Sequence, residues 1–240
     1  MKNLRVLNRN HIKYIALVTM LIDHYAWAFV PLASEKGQVM HFIGRFTAAV
    51  MAFFLAEGFR YTRDKKAYGL RLFIFSMLTW APYVLFEGYS WPRMEFSMIS
   101  ALFLAFLTLV LWDWPGLAPT WKFFFTAMLL YMGQYCDWWC LPILWALVSH
   151  YVNFHEEPEK WLLCFSGVSA LGCMVMMLLY PSWGMRVHVL GLLVPGLFLY
   201  LFYNGKPGSK HPVHKWIFYV VYPLQFLVFV YMKKQGILLF

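Results

Sequence analysis

Two apolar runs near the start of the chain, IKYIALVTMLIDHYAWAFVP at residues 12–31 and VMHFIGRFTAAVMAFFLAEGFR at residues 39–60, decide both its fold and its chemistry. Each has roughly the 20 residues that a helix needs to cross a hydrocarbon core. Yet the first holds Asp23 and His24, and the second holds Arg45 and Glu57. An ionisable side chain at that depth costs roughly 2.5–3.5 kcal/mol even on the lenient insertion scale, so it marks a functional hypothesis by default. The stretch from Ile12 to Asp64 is therefore the centre of the reading, and the remainder is expected to act as scaffold.

Composition extends the same pattern over the whole chain. Its 240 residues are 62% hydrophobic, 21% aromatic and only 13% charged, against about 25% charged in ordinary soluble domains. Mean hydropathy is +0.58. These values predict an all-α, polytopic transmembrane helical bundle, with about nine spans, or eight, in a single domain over residues 1–240. Spans are expected near 12–31, 39–60, 67–86, 96–112, 121–135, 138–154, 160–180, 186–203 and 215–233. Pro, Gly and Asn clusters separate them. Lys2, Arg5, Arg9 and Lys13 precede the first apolar run, but no small-residue cleavage site follows it. The run is read as a span rather than a signal peptide.

The formal charge of +9 comes from lysines and arginines in separate loops, whereas a nucleic-acid groove needs them on one solvated face. Membrane lipids are the expected surroundings, and nucleic acid is not an expected partner. The N-terminal tail, the loop with Arg60, Arg63, Lys65 and Lys66, and the loop with Lys206, Lys210 and Lys215 fall on one side of a nine-span protein. The positive-inside rule makes that side cytoplasmic. Lys233 and Lys234 then lie outside. Cys136, Cys140, Cys164 and Cys173 have no metal-ligand spacing and read as small apolar residues. No metal constellation and no glycine-rich nucleotide loop is present in the sequence.

At a rise of about 1.5 Å per residue, His24 lies roughly 18 Å from the inner end of the first span, and Arg45 about 9 Å from the outer end of the second. Asp137, Arg186 and His188 belong to the same outer side. An ionisable cluster is therefore expected beneath the outer surface. Asp23 and His24 are successive residues, about 100° apart around a helix, and do not face each other. The expected pairing is Asp23 with Arg45, leaving His24 free to act as a base; a buried structural network is the equal alternative.

Below Arg45, Ala49, Ala52 and Ala56 share a helical face, with Ala48 beside them. Such a stripe allows either close helix packing or a slot for a slender ligand. The basic loop Arg60–Lys66, with Arg71 a turn into the third helix, is a positive-inside signal that would also suit phosphate oxygens. Tyr219, Tyr222 and Gln225 form one stripe of the last helix, where packing is the ordinary role of aromatics. His11, His150, His155, His211 and His214 fall near inner boundaries.

These residues carry a resemblance. The run Ile15-Ala16-Leu17 through Met20-Leu21-Ile22-Asp23-His24, then Ile43-Gly44-Arg45, Phe53-Phe54-Leu55-Ala56-Glu57-Gly58-Phe59, Thr62-Arg63 and Arg71-Leu72-Phe73-Ile74-Phe75 resembles the TraX family. Asp137-Trp138 resembles that family's Asp-aromatic-Gly block. Lys215-Trp216-Ile217-Phe218-Tyr219 with Tyr222-Pro223-Leu224 resembles its C-terminal block. Two positions depart: Gln225 stands where His is common and cannot titrate near neutral pH, and Trp139 and Cys140 stand where a Gly-rich turn is usual.

The resemblance implies an acyltransferase of the bacterial inner membrane, with acetyl-CoA as cosubstrate. The family's founding activity, acetylation of a pilin N-terminus, makes a pilin-like protein the expected acceptor. His24 would be the general base or a transient nucleophile, Arg45 would stabilise the developing oxyanion, and Asp23 and Asp137 would support them. Glu57, Arg60, Arg63, Lys65, Lys66 and Arg71 would receive the cofactor, and Tyr222 and Gln225 the substrate. O-acetylation of an envelope glycan, a proton-coupled carrier and a non-catalytic fibre-assembly factor are the competing readings.

Overall fold

The computed structural model describes residues 4–90, 92–179 and 187–237. Over these residues the chain is an all-α bundle of α1 (Arg9–Phe29), α2 (Glu35–Gly44), α3 (Phe46–Tyr61), α4 (Lys65–Phe86), α5 (Met98–Asp113), α6 (Pro119–Gly133), α7 (Leu141–Tyr151) and α8 (Pro158–Leu179), followed by a 3-10 segment (Val187–Leu193), α9 (Val194–Phe202) and α10 (Val213–Gln235). Glu35–Tyr61 forms one rod from α2 and α3, and Val187–Phe202 another. The described residues thus make nine helical rods, one at each expected place. Arg186 lies outside them.

Four rods, Glu35–Tyr61, Lys65–Phe86, Pro158–Leu179 and Val213–Gln235, are long and apolar enough to cross a bilayer. Met98–Asp113, Leu141–Tyr151 and Val187–Phe202 are shorter apolar helices. α1 has sufficient length at 21 residues, with Lys13 and Asp23 along it. The protein is a membrane protein, and its exposed apolar helix faces are lipid-facing surface rather than a set of exposed defects.

Local chemistry explains where the helices begin. Asn8 accepts from the His11 N–H at 3.1 Å, Ser34 from Gly37 at 3.0 Å and Asp64 from Ala67 at 2.8 Å. Each N-cap satisfies a donor that the first turn leaves open. Prolines occupy the first turns of α6, α7 and α9, where a missing N–H costs nothing. Gly236, at φ +66°, closes α10 in the left-handed conformation that favours glycine.

α3 is the central helix, packed on α1, α5, α7 and α9. Ala49, Ala52 and Ala56 are buried and line neither of the cavities between the helices, so their stripe is a packing face and not a slot, while Ala48 beside them borders the smaller cavity. Phe53 of the same helix sits edge-on to Phe154, Trp161 and Tyr203. At the basic face, the Leu7 N–H donates to Phe202 O, and the Asn204 N–H to Leu7 O, at 3.0 and 2.9 Å. The Arg9 N–H donates to Lys206 O at 2.9 Å. These bonds tie the N-terminal segment to the loop after α9, on the shared side that the charge pattern predicted. α10 packs along α1 and α4, which leaves a space between it and α3 and α5.

Candidate functional site

That space is a cavity of about 440 Å³ between α1, α3, α4, α5 and α10. Its basic end carries Arg9, Lys13, Arg71, Lys210 and Lys215, five cations with no acidic side chain among the residues lining it. From there the walls turn apolar: Leu17 and Met20 from α1, Met51 and Leu55 from α3, Ile99 and Leu102 from α5. The pattern follows from helix periodicity. Arg9, Lys13, Ala16, Met20 and His24 recur at steps of three or four on one face of α1, so one stripe runs from the charged mouth to the buried histidine.

Met20, Thr47, Met98 and Tyr222 line both this cavity and a second, of about 20 Å³, beyond it. They form the partition between the two, and the Tyr222 hydroxyl accepts the Met98 N–H at 3.1 Å within it. Methionine side chains deform readily. The small chamber has room for about one water molecule. Asp23, His24, Gly44, Asp137 and Trp138 line it, and no lysine or arginine does. The two ends of the slot therefore have opposite character: cationic at the mouth, carboxylate and aromatic at the head.

His24 is 7% exposed. Its ring packs against Phe226, Phe86 and Tyr222 at centroid distances of 4.9, 5.9 and 6.0 Å. Nδ1 is buried without a hydrogen-bond partner. Gln225 lies beside the ring, with both amide atoms buried and outside hydrogen-bond geometry. The imidazole therefore borders the chamber with one ring nitrogen buried and uncommitted.

Asp23 is held from the other side. His41 Nδ1 lies 2.7 Å from Asp23 Oδ1, and Arg45 Nη2 donates to the same oxygen at 3.4 Å. Arg45 Nε also donates to His41 O at 3.3 Å, and its guanidinium lies 4.7 Å from the Trp138 ring centre. Close approach of α1 and α2 makes this possible, since a Cβ on Gly44 would collide with the Asp23 side chain. Asp137 sits in the link between α6 and α7, where burial pushes its carboxyl up to about 7 against the opposing field of Arg45. The link is anchored by the Asp137 N–H to Phe96 O and the Phe96 N–H to Tyr135 O, both at 2.8 Å.

Comparison with known proteins agrees with this arrangement of motifs. The family described as TraX protein matches residues 8–233. The chain belongs to the TraX family. It is also similar to a protein of Dichelobacter nodosus named probable fimbrial assembly protein FimC, serogroup H1, at 29% identity over 223 residues, covering 89% of this chain and 90% of that one. No solved structure matches.

Within this TraX protein the residues singled out by sequence divide into two groups. Asp23, His24, Asp137 and Tyr222 line the small chamber, and Arg45 and Gln225 stand directly behind its wall residues. Of the expected cofactor set, only Arg71 lines the large cavity. Arg60 instead donates to Asn153 Oδ1 at 2.8 Å and to the carbonyls of Ser149 and His150 at 3.1 and 2.8 Å, closing the end of α7. Glu57 is 4% exposed; it accepts from the Tyr203 hydroxyl at 2.7 Å and lies 2.8 Å from His155 Nε2. Lys65 pairs with Asp113 at 2.6 Å, while Arg63 and Lys66 are exposed away from the cavity.

His41 and four of the mouth cations, Arg9, Lys13, Lys210 and Lys215, were not singled out from the sequence. The signals were present: His41 precedes Arg45 by four residues, and Arg9 precedes Lys13 by four, so each pair shares a helix face. Trp138 and Trp139 both have positive φ, +69° and +49°, which is strained for a bulky residue. The turn after Asp137 thus holds a left-handed backbone at two tryptophans, and the first of them covers Arg45.

Proposed function

We propose that this TraX protein is an acetyl-CoA-dependent acyltransferase of the bacterial inner membrane, acting across the bilayer on an acceptor at the outer face. The N-terminal amine of a pilin-like protein is the leading acceptor. One observation carries the reading: a slot that starts among five unbalanced cations and narrows to a buried histidine with an unpartnered ring nitrogen. The relative named for fimbrial assembly supports a pilin-like partner. The whole chain is read as one acyltransferase domain.

The residues suit the proposed ligand end by end. Arg71 and Arg9 can grip phosphate oxygens through charge-assisted hydrogen bonds, with Lys13, Lys210 and Lys215 as point charges around them. Arg71 Nε is buried and without a partner. The apolar walls from Leu17 to Met98 match a slender arm, and the partition at Tyr222 lies where that arm ends. Acetyl-CoA would supply the acetyl thioester at this point.

His24 then acts as general base, taking a proton from the acceptor at its open nitrogen. Arg45 lends positive potential to the chamber from behind Asp23 and Trp138, where the low local dielectric strengthens it. The positive-inside pattern supports a cytoplasmic mouth and a chamber towards the outer face.

Equilibrium binding of acetyl-CoA to the detergent-purified protein, followed by transfer to peptide amines and to glycan hydroxyls, tests the reading. Binding with transfer to peptide amines supports it. Folded protein that binds no acetyl-CoA contradicts it, and transfer only to hydroxyls replaces the acceptor.

A further inference from the structure

The small chamber at the head of the slot holds two carboxylates of unequal commitment. Asp23 is taken by His41 Nδ1 at 2.7 Å and by Arg45 Nη2 at 3.4 Å, both on one oxygen. Asp137 lines the same chamber, and among the described residues no lysine, arginine or histidine pairs with it. Arg45 reaches it only as a field, because the guanidinium is bound to Asp23 and lies 4.7 Å from the Trp138 ring centre. Burial holds the Asp137 carboxyl up at about 7, with Glu87 and Asp23 adding to the rise, against the pull of Arg45 and the Trp138 backbone. A carboxyl in that position lacks a counter-ion.

The chamber has room for one. Its volume of about 20 Å³ takes roughly one water-sized group, and a primary ammonium is a single nitrogen with its protons. Neither lysine nor arginine lines the chamber, whereas Trp138 and Tyr222 do, and aromatic faces attract cations. His24 borders the same space with Nδ1 buried and unpartnered, an independent sign that a polar group belongs there. The position also suits an acceptor. Asp137 is half-buried, and its N–H donates to Phe96 O at 2.8 Å, which fixes it beside the start of α5. That start lies along the second half of α4, where the Thr79 and Ser97 hydroxyls meet at 3.1 Å. Arg71 of the basic mouth belongs to the first half of α4, so Asp137 stands at the other end.

We propose that Asp137 is the counter-ion of the acceptor: it binds the acceptor's ammonium group in the chamber and so selects amines over hydroxyls. The inference rests on the acyltransferase reading and names the group that chooses the acceptor. A terminal amine is mostly protonated near pH 7, so it arrives with the charge that Asp137 lacks. A hydroxyl of the same size brings no charge and leaves the carboxyl unpaired. Asp23 does not substitute, because His41 and Arg45 already occupy it.

The test uses two peptides that differ only at the terminus, one with an N-terminal amine and one with a hydroxyl in its place. Parent and Asp137→Asn, purified in detergent, are compared for calorimetric binding of each peptide and for kcat/KM of transfer from acetyl-CoA near pH 7. Asparagine keeps the shape of the side chain and removes its charge. The account predicts that the parent favours the amine by about tenfold or more, the size of a charge-assisted hydrogen bond. Asp137→Asn should lose this preference through a raised KM for the amine peptide while binding acetyl-CoA as the parent does. Equal use of the two peptides by the parent, or a parental preference kept in Asp137→Asn, would overturn the role of Asp137 and leave the acyltransferase standing. The parent alone gives the first of these results, so the proposal stays open to refutation even where the variant does not fold. Folded parent that binds no acetyl-CoA would overturn both.

Discussion

His41 Nδ1 lies 2.7 Å from Asp23 Oδ1, so the buried carboxylate of α1 is committed to the second helical rod and not to its own neighbour His24. Arg45 shares the same oxygen at 3.4 Å. Removing Asp23 leaves a guanidinium buried without its counter-ion, which costs about 3–5 kcal/mol. Chemical denaturation of Asp23→Ala in detergent should show that loss. The double variant Asp23→Leu with Arg45→Met should lose less than the two single variants combined, because no charge is left stranded. Additive losses would mean that the pair does not interact.

The basic mouth of the cavity, where we propose that the cofactor binds, and the exposed basic loop make opposite predictions. Arg71→Glu or Lys215→Glu introduces a like charge beside the proposed phosphate site and should weaken acetyl-CoA binding by about tenfold or more. Arg63→Glu and Lys66→Glu, exposed and off the cavity, should change it by about twofold or less in 0.15 M salt, because exposed distant charges are screened. Calorimetric titration of the four variants separates them. Equal effects would return the cofactor to the loop.

Asp137 sets a pH dependence whose sign is fixed by burial. Its carboxyl, pushed up to about 7 in the folded chain, binds its proton more tightly folded than unfolded. Its contribution to stability is therefore complete below the ordinary carboxylate range and is lost as pH rises through about 7. Thermal unfolding between pH 4 and pH 8.5 should show this slope in the parent. Asp137→Asn should flatten it. A slope unchanged by that substitution would contradict the upward shift of this half-buried carboxyl.

Arg60 and Glu57 are held by partners outside the cavity, so their expected contribution is to stability rather than to ligand binding. Arg60→Ala removes a charged donor that closes the end of α7 through three hydrogen bonds, at a cost of roughly 1.5–3 kcal/mol. Glu57→Ala strands the Tyr203 hydroxyl, with a loss of about 1–3 kcal/mol. Both variants should keep the parental KM for acetyl-CoA at temperatures where they are folded. A raised KM without loss of stability would move these residues into the cofactor site.

The helices and the head of the slot were legible in the sequence because both rest on local signals. Runs of about 20 apolar residues define spans, and Asp23, His24 and Arg45 stand out by their cost in hydrocarbon. The partners were less legible, because they depend on which helices pack together. Nothing in the basic loop distinguishes Arg60, which reaches across to α7, from Arg71, which faces the cavity. Ala49, Ala52 and Ala56 have the same spacing whether they line a slot or meet another helix, and their absence from both cavity walls decides for packing. His41 lies within the same apolar run as Arg45, yet its bond to Asp23 crosses from one rod to another.

The central claim concerns His24 at the head of the slot, and labelled acetyl-CoA tests it most directly. Purified parent and His24→Ala are compared for transfer of label to a peptide amine or release by hydrolysis, with folding monitored in parallel. The account predicts turnover in the parent and a loss of at least about 10²-fold in the folded variant, with acetyl-CoA binding retained. A folded His24→Ala protein that turns over at the parental rate would contradict it.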